Sequence, residues 1–124
     1  MPRIVHFEIP AEDPERSAKF YTETFGWEIK KWEGPQPYWL VRTGPDTEMG
    51  INGGIYKQTK ADECVANTVG VTNLEEYIEK VKQCGGRIEG EAMDIPGVGR
   101  YVTAYDTEGK RFSMLEPDPN AKMM

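Results

Sequence analysis

Apolar and polar side chains alternate over residues 4–9, with Val5, Phe7 and Ile9 on one side of the pattern and Ile4, His6 and Glu8 on the other. A period of two predicts a strand with one buried face. The period then changes. Asp13 offers a capping oxygen, Pro14 suits a first helical position, and Glu12 and Glu15 bring negative charge to the helix N-terminus. Phe20, Tyr21 and Phe25 follow at helical spacing, and Gly26 stands where a left-handed residue would close the helix. Trp27, Ile29 and Trp32 open a second strand. Residues 34–37, with two prolines and a glycine, make a turn. Residues 38–42 read as a third strand and residues 49–56 as a fourth, in which Gly50, Gly53 and Gly54 suggest a bulge or a close backbone approach.

After a polar stretch at residues 57–64, the same order returns. Residues 68–71 predict a strand. Thr72 and Asn73 are both capping candidates, and Leu74, Tyr77, Ile78 and Val81 form an apolar stripe at helical spacing. Cys84-Gly85-Gly86-Arg87-Ile88 echoes Phe25-Gly26-Trp27-Glu28-Ile29. Strands at residues 100–105 and 110–116 are joined by a hairpin turn, with Gly109 at its left-handed position. Each half therefore reads β-α-β-β-β, and order and spacing rather than identities carry the duplication. The expected fold class is α+β: two βαβββ modules, residues 1–56 and 65–117, forming one curved eight-stranded mixed sheet with a helix covering each half. Residues 118–124 are expected to fray.

Composition narrows the partners. A chain of 124 residues with 38% hydrophobic and 29% charged residues fits one domain with a modest core. Its net charge of -6 argues against nucleic acid and anionic membrane, both of which need a basic face. With no membrane-length apolar run and no signal-peptide pattern, a cytoplasmic protein is expected. Cys64 and Cys84 lie in no metal or redox spacing and are expected to be free thiols.

The opening carries a family resemblance. His6-Phe7-Glu8-Ile9-Pro10, then Asp13-Pro14-Glu15-Arg16-Ser17, then Phe20-Tyr21 and Phe25-Gly26-Trp27-Glu28-Ile29, resemble the start of the vicinal oxygen chelate superfamily, which holds glyoxalase I, the bleomycin-resistance proteins and the extradiol dioxygenases. The resemblance implies a ligand cavity on the concave side of the sheet and a homodimer. In the enzymes it implies a divalent metal, which glyoxalase I holds on His, Glu or Gln ligands from the first, fourth, fifth and eighth strands. Carried over by position, those ligands fall on His6, near Gly53 with Asn52 beside it, on Ala66 and on Ser113. Only His6 is a metal-binding side chain of the expected kind, so no cofactor is expected, and a divalent metal remains the minor alternative. Glu116 is on the opposite face from Ser113 by alternation.

His6, the one histidine, has three readings: a hydrogen-bonded pocket residue, a general base with Glu8 orienting it or raising its pKa, or a surviving metal ligand. Strand parity adds Tyr38, Leu40 and Arg42 on the third strand, and Tyr101, Thr103 and Tyr105 on the seventh, as ligand-binding candidates with Ser113. Aromatic walls, hydroxyls and one cation suit a small, partly aromatic or anionic organic ligand; the same aromatics could instead pack on one another. The expected function is metal-free binding of a small organic molecule. The alternatives are a metal-independent proton-transfer enzyme using His6, and a metal-dependent lyase of the glyoxalase kind, either acting on a small carbonyl compound.

Overall fold

A computed structural model describes residues 2–119. Among them the strands are β1 (Arg3–Ala11), β2 (Glu28–Lys31), β3 (Tyr38–Arg42), β4 (Asn52–Lys57), β5 (Ala66–Gly70), β6 (Arg87–Ile95), β7 (Gly99–Tyr105) and β8 (Arg111–Pro117). The helices are α1 (Pro14–Phe25) and α2 (Leu74–Gln83). The strands form one mixed eight-stranded sheet in the order β2-β3-β4-β1-β5-β8-β7-β6. The β1/β4 and β5/β8 pairs are parallel, and β2/β3, β3/β4, β6/β7 and β7/β8 are antiparallel. The α+β class and the repeated βαβββ order are as the pattern implied. Two compact units divide the chain, His6–Val65 and Ala66 onward, the latter with the first residues of β1.

In the unit of residues 6–65, Asp13 accepts the Arg16 amide at 3.1 Å and Pro14 occupies the first turn of α1. Gly26 closes the helix at φ 74°, and its amide donates to the Thr22 carbonyl at 2.9 Å. A left-handed residue is needed there, and glycine takes that conformation without a Cβ clash. The core is Trp39, Val41 and Ile55, with Phe7, Ile9, Ala18, Tyr21, Trp27 and Ile29 packed on it. The Tyr21 and Trp27 rings stack at 5.0 Å. The Trp39 indole N–H donates to Glu15 at 3.2 Å and ties β3 to α1. The apolar stripe expected on α1 divides: Tyr21 turns inward, while Phe20 and Phe25 remain 57% and 61% exposed.

In the other unit Asn73, rather than Thr72, caps α2, accepting the Glu76 amide at 3.2 Å. Glu116 adds a second cap by accepting the Leu74 amide at 2.8 Å, so it lies on the α2 side of the sheet, as alternation required. Val71, Leu74, Ile78, Val102 and Met114 are the core, with Val69, Tyr77, Val81, Ile88 and Phe112 against it. Gly109 turns the β7/β8 hairpin at φ 74°.

Some expectations shift. The fourth strand begins at Asn52 rather than Met49, which is fully exposed. Trp32 lies beyond β2, and its ring covers Gly34 instead of joining the strand. Val5 joins neither helix-backed core; its methyls approach the place a Cβ on Gly70 would take, at 3.2 Å. The stretch over residues 57–64 is braced by Glu63, whose carboxylate accepts the Thr59 and Lys60 amides at 2.7 and 3.1 Å. Cys64 and Cys84 are free and exposed. The end of the tail expected to fray, residues 120–124, lies outside the described residues. No described helix is long and apolar enough to cross a membrane.

Candidate functional site

Register decides which side chains share a face. In the first unit Phe7 and Ile9 pack toward α1, so His6, Glu8 and Pro10 point the other way. His6 pairs with Asn52, Glu8 with Gly54, Leu40 with Gly54 and Tyr38 with Tyr56. Paired residues project to the same side. His6, Glu8, Tyr38, Leu40 and Arg42 therefore stand together on the face away from α1.

The decisive contact on that face is a phenol–imidazole pair: the Tyr38 hydroxyl lies 2.8 Å from His6 Nε2. Gly54 makes it possible. A Cβ at residue 54 would collide with the Tyr38 ring and hydroxyl, so the ring lies across β4 where another residue's side chain would stand. Burial lowers the His6 pKa from 6.5, and Glu8, through its charge, opposes that shift. The imidazole is thus held toward its neutral form, with Tyr38 as a hydrogen-bonded partner. If Nε2 carries no proton, the phenol donates to it; if Nε2 carries one, the imidazole donates to the phenol oxygen. Arg42, expected as the cation of the face, pairs instead with Asp46 at 3.3 Å in the loop that follows β3. Leu40 is half-buried.

In the second unit Val69, Val102, Phe112 and Met114 pack toward α2, and the residues between them face away. Glu89 pairs with Thr103, Thr103 with Ser113 and Ser113 with Thr68, which sets four polar side chains in one row across β6, β7, β8 and β5. Arg87, Tyr105 and Arg111 form the neighbouring row. The Tyr101 hydroxyl lies 2.5 Å from Ser113 Oγ. Tyr105 donates to Glu89 at 2.7 Å, and the Arg87 guanidinium stacks over the Tyr105 ring at 4.1 Å. Chiefly because that hydrogen bond favours the protonated phenol, the Tyr105 pKa is raised. Sequence parity put Tyr101, Thr103 and Tyr105 on one side, and the family resemblance pointed to Ser113. Parity missed Thr68, Glu89 and Arg87, although alternation along β5 and β6 would have placed them on this face.

The two units also narrow the fourth-strand position, expected at Gly53 or a residue to either side. Gly53 pairs with Phe7 and faces α1; Gly54 is the equivalent of Ser113, because Leu40 opposes Gly54 as Thr103 opposes Ser113. Glycine and Ala66 have no donor atom. Asn52 Oδ1 accepts the Thr43 amide at 2.9 Å, Ser113 Oγ meets Tyr101, and His6 Nε2 meets Tyr38. Among the described residues no cluster of three or more His, Cys, Asp or Glu could hold a metal ion. The donors at the positions where the family resemblance implies a divalent metal do not fit one.

Comparison with known proteins agrees with this architecture. A family model described as bleomycin resistance protein-like N-terminal matches residues 3–38. A glyoxylase-like domain-containing protein of Didymella fabae is 31% identical over 112 residues, covering 86% of this chain and 88% of the relative. The chain belongs to the glyoxalase-like family of the vicinal oxygen chelate superfamily. Another glyoxalase-like relative, the lactoylglutathione lyase of Escherichia coli O157:H7, is 29% identical over 125 residues, with 92% of each chain covered. Among solved structures, a Streptomyces coelicolor methylmalonyl-CoA epimerase in complex with 2-nitronate-propionyl-CoA superposes with a TM-score of 0.73 over 98% of both chains at 16% identity. That likeness is one of fold.

Proposed function

We propose that this glyoxalase-like chain binds a small organic ligand on the sheet faces turned away from its helices, and that it does so without a divalent metal. The observation that carries this reading is the Tyr38 phenol lying across Gly54 onto His6 Nε2. A side-chain donor at residue 54 is replaced by an aromatic ring, and the imidazole is engaged by a neutral hydroxyl. Half-buried aromatics with a few converging polar groups suit a small carbonyl-bearing molecule.

One observation favours a catalytic reading of the same residues. A neutral imidazole against a phenol is a base and an acid in contact, the pairing that proton transfer uses. Relatives named as a lyase and fold neighbours named as an epimerase are in keeping with an enzyme. In this reading Tyr38 presents its hydroxyl to the substrate, and His6 behind it takes or returns the proton.

Calorimetric titration with S-lactoylglutathione and with pyruvate, together with the metal content of protein incubated in zinc and then desalted, tests the proposal. Binding of either compound with well under one equivalent of metal is expected. One tightly held equivalent that is lost in His6→Ala overturns the metal-free reading. Turnover of either compound by the wild type but not by His6→Ala or Tyr38→Phe makes it an enzyme.

A further inference from the structure

Thr68 stands apart from every other polar side chain on these faces. It is only 2% exposed, and its Oγ1 is buried with no hydrogen-bond partner among the described residues. A buried hydroxyl without a partner costs stability, and native proteins keep few of them. Valine has nearly the same shape, high strand propensity and no such cost, so retention of threonine here calls for a use. Thr68 opposes Ser113, which is fully buried, and faces away from α2 with the row that runs through Thr103. The Tyr101 phenol reaches from β7 to Ser113 Oγ, so it ends one strand away from Thr68.

We infer that Thr68 is a ligand-recognition residue whose hydroxyl donates to an oxygen acceptor of the bound molecule, a carbonyl or carboxylate oxygen. The chemistry of the row favours an acceptor. Thr68, Ser113 and Tyr101 are neutral hydroxyls able to donate, and the one carboxylate of the row, Glu89, already accepts from Tyr105. This inference rests on the ligand-binding reading above and adds to it the acceptor class and the residue that reads it.

The test compares wild type, Thr68→Val and Thr68→Ser by thermal midpoint without ligand and by calorimetric titration with pyruvate. Thr68→Val is expected to raise the midpoint by about 3 °C, since it removes the orphaned hydroxyl at nearly constant volume, and to weaken pyruvate binding about tenfold, as the loss of one hydrogen bond would. Thr68→Ser keeps the hydroxyl and should bind within about twofold of wild type, because the donor survives. A lower midpoint in Thr68→Val shows that the hydroxyl has a structural partner and overturns the inference. Unchanged pyruvate binding in Thr68→Val also overturns it while leaving the ligand-binding reading in place. A wild type that binds no pyruvate sinks recognition of a simple oxo-acid at Thr68, and S-lactoylglutathione binding then decides the broader reading separately.

Discussion

His6 is held neutral by burial while its ring nitrogen meets a phenol, and both facts bear on stability. Its folded pKa lies below the unfolded value of 6.5, so between the two the unfolded chain binds more protons. The stabilising contribution of neutral His6 is therefore complete above pH 6.5 and is lost as the pH falls toward and through the folded value. Denaturant midpoints measured from pH 7.5 down to 5 should fall less steeply in His6→Gln than in wild type; equal slopes would mean that the imidazole is not held neutral. The neighbouring residue gives the contrast. Phe7 packs in the core beside Trp27 at 6.2 Å between ring centroids, whereas His6 points to the opposite face. Phe7→Ala should cost about 3 kcal/mol in chemical denaturation, toward the lower end for a large aromatic truncation because the ring is only half-buried. His6→Ala should cost clearly less and impair ligand binding instead. Equal losses in the two variants would make His6 a core residue.

At the scale of elements, β4 does two jobs with two adjacent glycines. Gly53 yields to Phe7 on the α1 side, and Gly54 yields to Tyr38 on the other. A methyl at residue 54 would meet the far end of a tyrosine, which can swing aside, so the main effect of Gly54→Ala is loss of the Tyr38–His6 contact rather than unfolding. The variant should lose no more than about 1–3 kcal/mol, the usual range for overpacking, while the His6 ring resonances titrate at a changed pKa in NMR. Unaltered titration would show that Tyr38 does not govern the imidazole. A similar economy appears in α2, where Asn73 and Glu116 satisfy two of the N-terminal amides that a helix leaves open. The Glu116 cap couples the start of α2 to β8, the strand that carries Ser113 on its other face.

For the whole molecule, the duplication sets the logic. Each βαβββ unit turns its helix to one face and leaves the other for polar and aromatic side chains. Equivalent tyrosines, Tyr38 on β3 and Tyr101 on β7, close on different groups: an imidazole in one unit and a serine in the other. Two copies of one plan thus carry different chemistry at equivalent positions. The family resemblance implies a homodimer, and sedimentation velocity at micromolar concentration should give twice the chain mass; a single species at the chain mass would overturn that assembly.

The periods of the chain, two in the strands and 3.6 in the helices, with Asp13 and Asn73 as caps and Gly26 and Gly109 as stops, were enough to determine element order and fold class, because local sterics and one-sided burial decide those features, while the family came from the resemblance of the opening residues. Alternation also determined that His6 shares a side with Glu8, Tyr38 with Leu40 and Arg42, and Tyr101 with Thr103 and Tyr105. What lay beyond reach was which of these side chains touch. That Tyr38 meets His6 and that Thr68 is left without a partner among the described residues depend on pairing between strands distant in the chain. A one-residue change of register exchanges faces, which is why alternation alone left the fourth-strand position open between Gly53 and its neighbours. Local periodicity carries no record of register between distant strands; packing in the folded sheet decides it.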